Sequence, residues 1–260
     1  MGDLDLIYFR TKIKVISKNN IFFQGHWGFF IGKFTDNQMH KHYAVQWSIS
    51  LKSEIQIMNG WGTETGYQSV RIKSNVLHAL KCEKEQLTLL FYPTATIGHY
   101  LNNMGELDLD ELEHHTTQSL KQSALYYVNG EMDFKSLVEA VSKEMDRLGC
   151  SCALENHFSD TRIQKAISYL ESNYERVIPV TEIANICGLS SSRFLHLFKE
   201  KTGLTYRKVQ QWNKVSRSFL SLREQSITQT AYEFGFTDSA HYTKTFKETF
   251  GFSPKQLKSS

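Results

Sequence analysis

The chain of 260 residues carries 30 Lys and Arg against 27 Asp and Glu, a formal charge of +3. Such a length accommodates two domains with cores of their own, and so small a net charge excludes neither an anionic nor a cationic partner. The division of charge is more telling: residues 160–260 hold 15 Lys and Arg and 9 Asp and Glu, whereas residues 1–159 hold 15 and 18. A nucleic-acid partner is therefore expected of the C-terminal part and not of the acidic N-terminal part. The start, MGDLDLIYFR, has no basic-then-apolar leader, and no apolar run is long enough to span a membrane. A cytoplasmic protein without membrane contact is expected. Cys82, Cys150, Cys152 and Cys187 fit a reducing compartment.

Residues 1–105 read as short strands. Tyr8 to Ile16, Ile31 to Phe34, Ala44 to Ile49, Ile55 to Met58 and Val70 to Ile72 alternate, and Leu87 to Tyr92 is a short apolar run. Turn signals part them at Lys18-Asn19-Asn20, Asp36-Asn37, Asn59-Gly60 and Thr65-Gly66. This spacing predicts an antiparallel barrel or jelly roll. Residues two apart on a strand point to one side, so His40 and His42 could share the interior with His78 from a facing strand. Three imidazoles can hold a metal with open positions. They can equally line a polar effector pocket with Gln46 and Trp47, or be ordinary hydrogen-bonded histidines. Phe22, Phe23, Trp27, Phe29, Phe30, Trp47 and Trp61 could stack on an effector, and core packing explains them as well.

Residues 106–149 turn helical. Leu109, Leu112, Leu120 and Ala124 line one expected helix, and Phe134, Leu137, Val138, Val141, Met145 and Leu148 a second, with a turn at Asn129-Gly130. Two such apolar faces suggest self-association, or simply a cover for the barrel. Residues 150–160 lack periodicity and read as a linker. Cys150 and Cys152 within it form a bare pair, open to a thiol switch, a soft metal or no role.

Residues 161–260 contain the most specific signal. VTEIANICGLSSSRFLHLFKEKTG, Val180 to Gly203, and SITQTAYEFGFTDSAHYTKTFKETFG, Ser226 to Gly251, follow one plan. Each has an apolar-periodic helix, a turn opened by Gly188 or Gly235, an N-cap at Ser190 or at Thr237/Asp238, and an amphipathic helix closed by glycine. Phe194, Leu197 and Phe198 in the first unit, and Tyr242 and Phe246 in the second, point inward. Ala184 and Ala231 suit steep helix crossings, and Cys187 falls on the packing side. The outward residues are those a DNA groove would meet. In the first unit these are Ser191, Ser192, Arg193, Leu195, His196 and Lys199. In the second they are Ser239, Ala240, His241, Lys244 and Lys247. A helix from Tyr206 to Leu222, spanning roughly 25 Å, would set the two units about one DNA turn, ~34 Å, apart.

ANICGLSSSRFLHLFKEKTGLT and SITQTAYEFGFTDSAHYTKTFKETFGFSP resemble the AraC/XylS family of bacterial transcription regulators over about Thr161 to Lys258. The resemblance implies two helix-turn-helix subdomains on a linker helix, entering adjacent major grooves of double-stranded promoter DNA. It implies a cupin-like sensor barrel at 1–105 for a small-molecule effector, with His40-Lys41-His42 and His78 as a degenerate cupin pattern and Gln46 near the usual Glu. It also implies a homodimer through the helices of 106–149, RNA polymerase as a further partner, and no cofactor or enzymatic activity. Three positions depart from the family: Trp212 stands where an Arg is common, Thr230-Ala231 replaces Ile-Ala, and Gln256-Leu257-Lys258 lacks the closing Tyr-Arg. The alternative is a metal-dependent cupin enzyme with a DNA-binding tail, against which the Gln at position 46 argues. A methyl-accepting repair protein with this tail would need a cysteine cluster ahead of Cys82, and there is none.

Overall fold

A computed structural model of the chain describes residues 8–10, 20–24, 26–33, 36–148, 160–173 and 176–255. Cys150, Cys152 and the expected linker up to residue 159 lie outside the described residues, as do residues 11–16 of the first expected strand.

The N-terminal half is an antiparallel two-sheet domain. The larger sheet has the order β1 (Tyr8–Arg10), β2 (Asn20–Gln24), β3 (Trp27–Gly32), β10 (Gln86–Phe91), β5 (Val45–Ser50), β8 (Ser69–Ile72), β11 (Leu109–Glu111). The smaller has the order β4 (Asp36–His40), β9 (His78–Lys81), β6 (Ile55–Asn59), β7 (Glu64–Tyr67). Among the described residues the strands stay divided between these two sheets rather than closing into one barrel.

Alternation decides what each face of the larger sheet does. Val45, Trp47 and Ile49 of β5 and Leu87, Leu89 and Phe91 of β10 share a core with α1 (Thr96–Asn103), α2 (His115–Val128) and α3 (Phe134–Arg147). The opposite face buries Gln46, Ser48 and Thr88. There Val70 and Ile72 of β8 meet Ile55, Ile57 and Leu80 of the smaller sheet.

One expectation for residues 106–149 is corrected. Leu109 does not begin a helix: Leu109–Glu111 pairs with Val70–Ile72 as an edge strand, because backbone pairing outweighs a sparse helical pattern. The apolar faces of α2 and α3 are not left free for a partner. Leu120, Ala124, Leu137, Val138 and Val141 are fully buried in the core they share with the sheet.

The C-terminal half is all-helical: α4 (Thr161–Ser172), α5 (Val180–Ile186), α6 (Ser191–Thr202), α7 (Tyr206–Glu224), α8 (Ile227–Glu233) and α9 (Ser239–Phe250). Its core is continuous with the sheet domain. Phe23, Ala44, Leu90, Tyr92 and Ala95 join the same buried cluster as Trp212, Phe219, Phe250 and Phe252. Among the described residues no helix is long and apolar enough to cross a membrane.

Candidate nucleic-acid interface

Local chemistry builds two matching units. In the first, α5 ends at Cys187, Gly188 turns the chain at φ +65, and the Ser190 hydroxyl accepts from the Arg193 amide to open α6. In the second, Ser226 and Gln229 form a capping box on α8, Gly235 turns at φ +68, and the Asp238 carboxylate accepts from the His241 amide to open α9. Both α6 and α9 have 12 residues, and both close on a left-handed glycine, Gly203 or Gly251. Thr237 is therefore not the N-cap. The second turn is one residue longer than the first, and Asp238 takes the place equivalent to Ser190.

The inward faces are as the pattern requires. Phe194, Leu197 and Phe198 of α6 and Tyr242, Phe246 and Phe250 of α9 are buried. Ala184 and Ala231 are buried at the crossings. The Cys187 thiol is buried, donates to the Arg162 carbonyl at 3.3 Å, and is pushed up in pKa by burial, which makes it a packing group rather than a reactive one. Glu182 of α5, held down to about 2 chiefly by the Arg176 guanidinium and also by the Tyr169 hydroxyl, ties α5 to α4.

On the outward faces the structure separates the sequence candidates. Ser192, Arg193, Leu195, His196 and Lys199 of α6 are exposed, as are Ala240 and Lys244 of α9. Ser191, Ser239 and Lys247 are half-buried, and His241 is half-buried with its ring edge-on to Phe236 at 5.4 Å. His196 and Lys244 occupy the same place on their helices. Each faces a carboxylate one turn on, His196 Nδ1 to Glu200 at 3.9 Å and Lys244 Nζ to Glu248 at 4.0 Å. Exposed pairs this loose are worth little, so either side chain can swing to an incoming groove. The spacer α7 has 19 residues, about 28 Å at 1.5 Å per residue. Lys214 on it donates to the Gly235 carbonyl at 3.1 Å, holding the second turn to the spacer.

The residues placed together in an effector pocket behave differently. His40, His42 and His78 converge, with ring centroids 4.5 to 5.5 Å apart, and Gln46 lies 3.0 Å from His42 Nε2. From there a buried polar chain runs Gln46 to Ser48 to Thr88 across the inner sheet face. Trp47 is not part of this group. Adjacent strand residues point to opposite faces, and its indole donates to Ser69 Oγ at 2.9 Å on the other side of β5. Trp61 is 94% exposed at the β6–β7 turn.

Sequence patterning missed the surface between the two halves. Trp212 of α7 stacks on Tyr92 at 4.8 Å and packs against Phe250 at 5.0 Å and Phe23 at 5.8 Å. The amides of Tyr43 and Ala44 donate to the carbonyls of Glu248 and Thr249 in the last turn of α9. Lys208 Nζ sits 3.8 Å from the centre of the Tyr43 ring. The only local signal for this surface was Trp212 standing where the family resemblance leads one to expect Arg.

Comparison with known proteins agrees with this geometry. A family described as "Helix-turn-helix domain" matches residues 183–260. An uncharacterized HTH-type transcriptional regulator of Pseudoalteromonas carrageenovora is 32% identical over 96 residues, covering 37% of this chain and 58% of that protein. The HTH-type transcriptional activator RhaS of Escherichia fergusonii is 25% identical over 174 residues, covering 64% of this chain and 60% of its own length. The chain thus spans some three-fifths of these two relatives. The fold of an apo ToxT variant from Vibrio cholerae aligns over 90% of this chain and 97% of its own, with a TM-score of 0.51 at 16% identity. Residues 183–260 thus match a helix-turn-helix domain family, and the two relatives are HTH-type transcription regulators. The ToxT likeness in fold takes in the sheet domain as well, and the RhaS match, over 174 residues, runs beyond the two helix-turn-helix units. Within that architecture Trp212 is a docking residue rather than a DNA contact, since it is 2% exposed.

Proposed function

We propose that the protein is a one-component transcription regulator. The domain at 161–260 binds double-stranded promoter DNA, and the sheet domain at 1–105 senses a small molecule. The observation that carries this reading is the pair of equivalent, outward-facing helices α6 and α9 on a common spacer. Phosphates are gripped by Arg193, Lys199 and Lys247, with Ser191, Ser192, Ser239 and His241 at the helix starts. Helix N-termini present free amides to phosphate oxygens. His196 and Lys244 read base edges, since Lys donates to guanine O6 and N7 and His to N7. Leu195, 42% exposed, and Ala240 offer apolar contact to thymine methyls. The buried polar chain from His42 through Gln46 to Ser48 supports an effector contact in the sheet domain. The reading contains no catalytic step, and it places the protein in the cytoplasm with RNA polymerase beside it at the promoter.

Self-association as a homodimer is proposed through residues 106–149, using the outer faces of α2 and α3. The inner faces are committed to the sheet, and Tyr126, 42% exposed, is the large apolar side chain left outside. Tyr126→Glu should shift the full chain from dimer to monomer in sedimentation velocity. A wild-type chain that is monomeric at every concentration would remove this element.

Selection on random duplex DNA followed by fluorescence anisotropy tests the main reading. The full chain should bind a preferred site with affinity falling linearly in log salt. His196→Ala and Lys244→Ala should each cost about 1–3 kcal/mol and relax preference at one half of the site only. Lys199→Ala should weaken all sequences alike. Equal losses on every single-base variant would make His196 and Lys244 phosphate contacts. Salt-independent binding, or none, would overturn the function.

A further inference from the structure

The three histidines of the sheet domain share one hydrogen-bonding plan. His40 Nδ1 lies 3.0 Å from the Gln38 carbonyl, His42 Nδ1 3.0 Å from the Ala44 carbonyl, and His78 Nδ1 2.9 Å from the Val76 carbonyl. A carbonyl only accepts, so each Nδ1 carries a proton and donates it. A neutral ring protonated there keeps its lone pair on Nε2; at His42 that nitrogen faces Gln46 Oε1 at 3.0 Å, so binding an ion there requires the Gln46 amide to turn away. This is the arrangement by which proteins orient metal-binding imidazoles, the second nitrogen anchored to a carbonyl. One ring nitrogen from each of the three lies within 4.8 Å of the other two.

One buried ring nitrogen of the cluster lacks a partner among the described residues. His78 is fully buried, and its Nε2 has no hydrogen-bond partner. Leaving a buried nitrogen so is costly, and a bound ion would offset that cost. Burial disfavours the charged form, lowering His42 well below its ordinary value and His78 to about 4. Neutral imidazoles without carboxylate or thiolate suit late first-row divalent ions and disfavour magnesium or calcium.

The position is as informative as the ligands. His40 and His78 face each other across the β4–β9 pair, and His42 lies in the loop that follows β4. Tyr43 and Ala44 of that loop satisfy the Glu248 and Thr249 carbonyls at the end of α9. A methyl group built on Gly251, just past α9, would fall 2.9 Å from His40 Nε2 and 2.6 Å from His42 Cδ2. The cluster thus abuts the C-terminal end of the second reading helix, where partial negative charge favours a cation.

We propose that His40, His42 and His78 bind one divalent transition-metal ion through Nε2, and that its occupancy fixes the 41–44 loop against the end of α9. Zinc–nitrogen bonds of ~2.0–2.1 Å set tetrahedral donors about 3.4 Å apart. Closure therefore draws the three rings together and pulls on the loop that caps α9. Water completes the coordination. The consequence for DNA rests on the function proposed above: an ion on the histidines biases the helix that carries Lys244.

The test uses the full chain, stripped with a chelator and titrated with zinc by calorimetry, with magnesium as control. One zinc per chain is expected, with at least about a tenfold weaker affinity in His40→Gln, whose ring is only half-buried and whose loss spares the core. Hydrogen exchange at the Tyr43 and Ala44 amides should slow on zinc addition in the wild type and not in His40→Gln. Zinc uptake equal in wild type and His40→Gln, or uptake that leaves those two amides unchanged, would overturn the proposal. Affinity for the selected duplex should change about fivefold or more with zinc, and an unchanged affinity would overturn the link to DNA. A chain that binds zinc as described but binds no duplex would instead refute the proposed function and leave the metal site standing.

Discussion

Trp212→Ala should release the helical half from the sheet half. The indole is 2% exposed and lies between Tyr92, Phe23 and Phe250, three rings contributed by β2, the end of β10 and α9. Truncating a buried Trp costs about 3–5 kcal/mol when the surroundings cannot collapse into the space. Here they cannot easily do so, because Phe219 and Phe250 are already held against Phe23 at 4.9 and 5.0 Å. That cost is a large fraction of the ~5–15 kcal/mol that holds a typical domain folded, and it falls on the contact between halves rather than within either core. Urea unfolding followed by circular dichroism should change from one transition to two. A single transition with an unchanged midpoint would show that Trp212 does not join the halves. The Tyr43 and Ala44 amides, which cap α9 across the same surface, should exchange faster in the variant.

Arg71→Ala should be comparably damaging, for an electrostatic reason. Arg71 is fully buried at the centre of β8. Its guanidinium donates to Asp110 Oδ1 through Nε at 2.9 Å and Nη2 at 2.7 Å. It also donates to the Leu101 and Leu107 carbonyls at 2.8 Å each, and to the Met104 carbonyl. One side chain thereby closes the end of α1, the turn after it and the edge strand β11. Removing one partner of a buried pair costs about 3–5 kcal/mol, because the charge and acceptors left behind lose their solvation without compensation. Arg71→Lys should recover little, since an ammonium cannot present donors to five acceptor contacts in a planar fork. Denaturant midpoints of the two variants check this. A loss under about 1 kcal/mol, the range of an exposed pair, would mean the site is solvated in solution.

The helical half was largely readable from residues near one another in the chain. Helix ends obey local rules: Ser190 and Asp238 cap because a short side chain reaches an amide three residues on, and Gly203 and Gly251 close because only glycine enters the left-handed region without strain. The sheet half was less readable, because pairing joins residues far apart. Nothing near Leu109 announces that Ile72 will be its partner, and β4 and β9 carry little alternation of their own. Gln46 and Trp47 were grouped in one pocket, although strand periodicity already puts such neighbours on opposite faces.

By itself, then, the sequence determined the two helix pairs, the Ser190 cap and the inward faces, since propensity, capping and helical period all act within a dozen residues. It also marked His40, His42 and His78 as a set worth attention. Only the tertiary structure decided that these rings converge and that they do so against the end of α9. It alone decided that Trp212 faces a sheet rather than a phosphate, and that the apolar faces of α2 and α3 close on their own chain. Each of those outcomes depends on which buried surfaces meet. That is a property of long-range packing, in which apolar area is covered wherever complementary area lies, and no local pattern encodes it.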